Sequence, residues 1–246
     1  MDFFSLKGKT AIVTGGNSGL GQAFAVALAT AGANLFVPAL REEHTQTRKL
    51  IEQQGVELEF MLADITDGGM PQRIIAACCE RFGTVDILVN NAGVFTLGST
   101  EELALDDLDR MLAVNVRSVF VASQEAARHM NDGGRIIHIG STNAERVPFG
   151  GAAVYAMSKS ALVGLTKGMA RDLGSRGITV NNVQPGPVDT EMNPDAGEFA
   201  AQLKQLMAIG RYGKDEEIAG FVAYLAGPQA GYITGASLSI DGGFSA

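Results

Sequence analysis

The chain has 246 residues, a length that suits one large α/β domain, with 46% hydrophobic residues, 19% charged residues and a formal net charge of −8. That negative balance, with no lysine or arginine run, opposes a phosphate backbone and argues against nucleic-acid binding. Its two cysteines, Cys78 and Cys79, are neighbours and make no disulfide framework. No window of about 18 apolar residues offers a membrane span and no signal-peptide pattern opens the chain, so a soluble cytoplasmic protein without a metal site is expected.

Short apolar or β-branched runs alternate with longer segments of helical period. Strands are predicted at 10–15, 34–39, 57–63, 86–91, 135–140, 178–184 and 236–241, and helices near 19–31, 42–54, 69–82, 101–130, 152–173 and 215–226. This βαβ rhythm predicts an α/β fold, a single doubly wound parallel sheet of about seven strands with helices on both faces, in one domain spanning 1–246. The stretch 185–213 breaks the rhythm with Pro185, Pro187 and Pro194. Because ligands bind beyond the carboxyl ends of such strands, it is expected to form a substrate lid at about 187–213, with Gly197 and Gly210 as hinges.

The first strand runs into Gly15, Gly19 and Gly21 and then into an apolar helix. Strand, glycine turn and helix N-terminus together make an anion site, because backbone N–H groups and the helix dipole face a pyrophosphate. The spacing G-x-x-x-G-x-G differs from the general dinucleotide fingerprint. At the end of the second strand, the place that carries a carboxylate in NAD-binding chains falls at Ala39, followed by Leu40 and Arg41. Neither the NAD nor the NADP signature is complete, and both cofactors stay open. Asp64, closing the third strand, can accept from an adenine amino group. Asn90 and Asn91, closing the fourth, can bond backbone and sugar hydroxyls, and Gly93 lets the chain pass close to a bound ring.

Tyr155 and Lys159 lie at i and i+4, one turn apart on a single helix face. Ser141 closes the fifth strand, and Asn115 lies in the segment expected to form the long helix. Reduction of a ketone needs a proton donor where the carbonyl oxygen gains charge. A phenol with a pKa of about 10 is poorly matched to that task at neutral pH, and a nearby ammonium would lower it. Lys159 is therefore expected to tune Tyr155, Ser141 to hold the carbonyl, and Asn115 to hold a water.

The ordered set TG-x-x-x-G-x-G, NNAG at 90–93, Asn115, Ser141, Y-x-x-x-K and PG at 185–186 resembles the short-chain dehydrogenase/reductase family over essentially the whole chain. The resemblance implies a Rossmann-type domain, NAD(H) or NADP(H) as cofactor, and a tetrad of Asn115, Ser141, Tyr155 and Lys159. In that tetrad the tyrosine is general acid/base and the lysine binds the nicotinamide ribose. It extends the cofactor contacts to Asn17, Ser18, Leu20, Ile65, Ala92, Pro185 and Gly186, with Val188 and Thr190 at the carboxamide. It also implies a homotetramer, with the helices near 101–130 and 152–173 across one interface. Up to about residue 93 the chain is similar to 2-deoxygluconate and ketodeoxyuronate dehydrogenases, and beyond it to a branch related to a cyclic-di-GMP-binding biofilm-dispersal protein.

The expected substrate is a small carbonyl or hydroxy compound, in a pocket of Phe95, Thr142, Asn143, Phe149, Pro187 and Met192. Glu145 and Arg146 read as residues of a solvated loop. A 3-oxoacyl-carrier-protein reductase is the alternative, weakened by Asp132, which stands where such enzymes favour a basic residue, although Arg171 and Arg176 are available. A regulator that merely binds cyclic di-GMP is the other, and the complete tetrad speaks against it.

Overall fold

The structure, a computed structural model, describes residues 4–41 and 45–246. Seven strands form one sheet in the order β3-β2-β1-β4-β5-β6-β7, every neighbouring pair parallel. They are β1 Thr10–Val13, β2 Asn34–Ala39, β3 Leu58–Leu62, β4 Ile87–Asn90, β5 Arg135–Ile139, β6 Thr179–Pro185 and β7 Ser237–Ile240. Each expected strand is present. The helices are α1 Gly19–Thr30, α2 Thr45–Glu52, α3 Met70–Phe82, α4 Leu105–Leu112, α5 Ser118–His129, α6 Ala153–Leu173, α7 Gly197–Gln205 and α8 Asp215–Ala226.

Both faces of the sheet are covered, which is why its strands read as almost continuous apolar runs. On one face Phe24 and Leu28 of α1 and Ile218, Val222 and Leu225 of α8 pack over Leu35, Val89 and Ile137. On the other, Ile74 and Ile75 of α3, Ala122 and Ala126 of α5 and Met169 of α6 cover Ile12, Leu88, Ile136 and Val180. Among the described residues no helix is long and apolar enough to cross a membrane, and no cluster of His, Cys, Asp and Glu could hold a metal ion.

One helical expectation is corrected and two are filled in. The helix read at 101–130 starts at Leu105 and is interrupted at Ala113–Arg117 by a π-helical turn, which inserts one residue into the hydrogen-bond ladder. Inside that turn the Asn115 amide bonds the backbone of Val94, 21 residues away in sequence. The excursion after β6 contains α7, in which Phe199, Ala200 and Leu203 recur at helical spacing between glycines and prolines that mask the period. The helix read near 42–54 is α2, and residues 42–44 lie outside the described residues.

Candidate active site

Between β1 and β4 the strand order reverses, and the two strand ends are stitched together above that seam. The Thr14 Oγ1 accepts from the backbone N–H groups of Asn91 and Ala92, both at 3.0 Å, and the Asn91 Nδ2 donates to the Thr14 carbonyl at 2.9 Å. A Cβ on Gly21 would stand 2.2 Å from the Gly15 carbonyl oxygen and 2.5 Å from Asn91 Nδ2, so this position excludes any side chain. Gly19, at φ +51°, opens α1 with free space in front of it, and no side chain caps the helix. The first N–H groups of α1 are thus left to an anion, and the residues present fit a dinucleotide pyrophosphate.

One cleft of about 1070 Å³ runs from this loop across the sheet edge to the excursion after β6. Its wall holds Gly15, Asn17, Ser18, Gly19, Leu20 and Gly21 from the glycine loop. Ala39, Leu40 and Arg41 stand after β2, Asp64 and Ile65 after β3, and Asn91, Ala92 and Gly93 after β4. The far end brings Ser141, Tyr155, Lys159, Pro185, Gly186, Val188 and Thr190, with the expected pocket residues Phe95, Thr142, Asn143, Phe149, Pro187 and Met192. Asn115 lies behind this wall: Oδ1 accepts from Val94 N at 2.9 Å, and Nδ2 donates to Val94 O at 2.9 Å and Ser158 Oγ at 3.1 Å. Its amide holds the chain after β4.

The chemical end combines a buried lysine, a buried hydroxyl and a phenol. Lys159 Nζ donates to the Ile139 carbonyl at 2.8 Å, and desolvation pushes its pKa down to about 8. Ser141, closing β5, accepts from the Asn143 N–H at 3.1 Å and faces Tyr155. Burial pushes the Tyr155 phenol above its ordinary value, and the Ser141 hydroxyl partly offsets this. Lys159 Nζ lies 5.7 Å from the Tyr155 ring centroid while bonded to the Ile139 carbonyl. The carboxyl of Asp64 is held low by the Thr66 hydroxyl and N–H, with Arg110 adding to the effect. Both Thr66 bonds go to Oδ1, at 2.7 and 2.9 Å, so the second oxygen is available to an amino group.

Asn90 does not reach the cleft. Its side chain points into the opposite face of the sheet, where Nδ2 donates to Ser123 Oγ at 2.9 Å and lies 3.1 Å from His138 Nδ1. Glu145 is exposed, as a solvated loop residue would be, and accepts from Gln184 Nε2, whereas Arg146 is half-buried and donates to the Phe244 carbonyl. Arg176 is committed to Asp132 and to the carbonyls of Ala127 and Met130.

Sequence reasoning did not assign to the site Thr14, Leu97, Arg110, Phe199, Leu203 and Phe244, which also line the cleft. Thr14 was visible as the threonine before the glycine loop, and Phe199 and Leu203 as an i, i+4 pair. Phe244 lies close to the end of the sequence and carries no motif.

Comparison with known proteins agrees with this geometry. A family model described as Enoyl-(Acyl carrier protein) reductase matches residues 15–245. A short-chain dehydrogenase/reductase from Serratia marcescens BCRC 10948 is 73% identical, covering 98% of this chain and 99% of that one, with a TM-score of 0.93. A short-chain dehydrogenase from Burkholderia cenocepacia J2315, solved in complex with NADP, is 47% identical over 98% of this chain and 99% of its own, with a TM-score of 0.93. The Cyclic-di-GMP-binding biofilm dispersal mediator protein of Escherichia coli K12 is 45% identical, over 97% of this chain and 98% of its own length. The chain therefore belongs to the short-chain dehydrogenase/reductase family and is an NAD(P)(H)-dependent oxidoreductase acting on alcohol and carbonyl groups.

Proposed function

We propose that this enzyme interconverts a small, mainly apolar ketone and its secondary alcohol, with Tyr155 as the general acid/base. The observation that carries the reading is the convergence of Ser141, Tyr155 and Lys159 beside a chamber walled by Phe95, Leu97, Phe149, Phe199 and Met192. Phe95 meets the Tyr155 ring edge-on at 4.7 Å, and Phe149 meets Phe199 at 5.5 Å. Aromatic walls of this kind favour an apolar or aryl substituent over the charged sugar acids of the first-half resemblance.

The nicotinamide cofactor supplies the hydride for reduction. In that direction the Tyr155 and Ser141 hydroxyls donate to the carbonyl oxygen, and the phenol passes its proton to it as charge develops. Burial keeps the phenol in the protonated form that the acid role requires, while making it the weaker acid. An ammonium has three donors, so Lys159 keeps two for ribose hydroxyls while bonded to Ile139. Asn115 acts through the backbone, fixing Val94 and so the floor under Phe95. Arg41 at the mouth of the cleft, with no carboxylate at Ala39 or Leu40, supports NADPH over NADH.

The segment 187–213 serves as the lid. Its two ends are tied together, Gly213 N donating to Pro187 O at 2.9 Å and Asp189 N to Gly213 O at 3.2 Å. Gly197 and Gly210 have φ +81° and +70°, with open space around each, as hinges require. The enzyme forms a homotetramer in the cytoplasm, through the outward face of α6 with exposed Met157, Ala161, Gly164 and Gly168, beside exposed Leu105 and Phe120. The carrier-protein reductase reading loses some support, because Arg176 is bonded to Asp132 and to the Ala127 carbonyl, while Arg171 stays exposed.

A ketone and alcohol panel run with NADH and NADPH in parallel tests the reading. We expect NADPH-dependent reduction of aryl or alkyl ketones, and a loss of turnover of at least about a hundredfold in Tyr155→Phe. Near-normal turnover in a folded Tyr155→Phe variant would refute the mechanism. Calorimetric binding of cyclic di-GMP without any carbonyl turnover would favour the regulator instead.

A further inference from the structure

We infer that Phe244 is the specificity-determining wall of the substrate chamber, locked in place by Arg146 and serving at the same time as the seat of the lid helix α7. The inference rests on the carbonyl-reductase reading for its kinetic half and on the packing alone for its structural half.

After β7 the chain makes a tight turn built to aim this ring inward. The Asp241 carboxylate accepts from the N–H groups of Gly243 and Ser245, both at 2.9 Å, and from the Ser245 hydroxyl at 2.6 Å. Gly242 and Gly243 take φ +62° and +78°, which side chains rarely tolerate, and a Cβ on Gly243 would stand 2.6 Å from the Ala208 Cβ. The result is a Phe244 side chain that is 2% exposed, yet on the cleft wall.

Two separate parts of the fold grip that ring. From one side Arg146, in the loop that follows Ser141–Asn143, donates to the Phe244 carbonyl and places its guanidinium 5.6 Å from the ring centroid. From the other side Ala200 and Leu203 of α7, with Met207 and Tyr212, form a small apolar cluster closed by Phe244. Ile209 N also donates to Gly242 O at 2.9 Å. The lid helix therefore rests on the C-terminal turn. Phe149, which packs on the same cluster, meets Phe199 of α7 edge-on. A substituent extending from the carbonyl past Phe149 meets Phe244, whose ring bounds its length.

The test compares acetophenone with 4-tert-butylacetophenone, each with NADPH, in the full chain and in Phe244→Ala and Arg146→Met. Removing the ring should raise the ratio of kcat/KM for the bulky ketone over the small one by about tenfold or more, in line with what one pocket wall discriminates. Arg146→Met should move the ratio the same way by less, because it frees the ring without deleting it. Amide hydrogen exchange of 197–205 in the NADPH-bound enzyme should be faster in both variants, a readout that needs no turnover. A ratio that stays within twofold while both ketones are still reduced overturns the specificity wall and leaves the reductase reading intact. Unchanged exchange across α7 in Phe244→Ala overturns the seat whatever the kinetics. Should the unaltered enzyme reduce neither these nor any other ketone, the reductase reading fails, and the specificity wall is overturned with it.

Discussion

Lys159 carries the clearest pH signature of the site. Its side chain is buried, and desolvation brings the pKa down from 10.5 to about 8, so the ammonium is intact below that value and lost above it. Ketone reduction needs both the ammonium and the protonated phenol, and burial holds the phenol's proton beyond the lysine's. The expected profile of kcat/KM for reduction is level below pH 8 and falls above it. Alcohol oxidation, which needs the phenol to give up its proton, should instead gain with pH until the ammonium is lost. Stopped-flow or steady-state rates across pH 6 to about 10 check this, and a reduction rate that climbs through pH 8 would contradict it. Residues such as Tyr155, Ser141 and Asn91 were legible in the sequence because a motif ties residue type to a strand or helix end. The sequence did not say where Asn90 and Asn115 point: neighbouring strand residues face opposite sides of the sheet, and an inserted π turn redirects those around it. The spacing places Lys159 and Tyr155 on one face but says nothing of the Ile139 carbonyl that also receives the ammonium.

Among the elements, α1 and α6 use glycine for opposite ends. Gly21 in α1 has no room for a methyl group, whereas Gly164 and Gly168 in α6 have nothing within 4 Å. Gly21→Ala should cost about 1–3 kcal/mol of stability, or distort the loop enough to abolish cofactor binding. Gly164→Ala should stabilise an isolated subunit by roughly 0.5–1 kcal/mol, since alanine loses less entropy in a helix. Chemical denaturation of the two variants separates the cases, and equal effects would mean that the local packing is misread. The seven strands were readable because a sheet covered on both faces needs nearly continuous apolar runs, and the glycine-bounded α7 was not because its period spans barely two turns. One of its partners, Phe244, lies about forty residues further along the chain and gives no local signal.

For the whole molecule, the outward face of α6 and the neighbouring Phe120 predict assembly. Sedimentation of the unaltered protein should report a tetramer and Phe120→Glu a smaller species, because a buried carboxylate has no partner at such a contact. A monomer for the unaltered chain at micromolar concentration would remove the assembly from the proposal. NADPH should also raise the melting temperature with its concentration, by the mass action of a ligand that binds the native state alone.

The stitched seam between β1 and β4 also says something about time. The Thr10 N–H donates to the Asp86 carboxylate, 76 positions further along the sequence, while β2 and β3 can already pair beside one another. Closing so long a segment is slow, and the crevice does not exist until it is closed. In a refolding experiment the fluorescence of bound NADPH should therefore lag the recovery of helix signal, because the capacity to hold cofactor waits on a long-range closure and not on local structure.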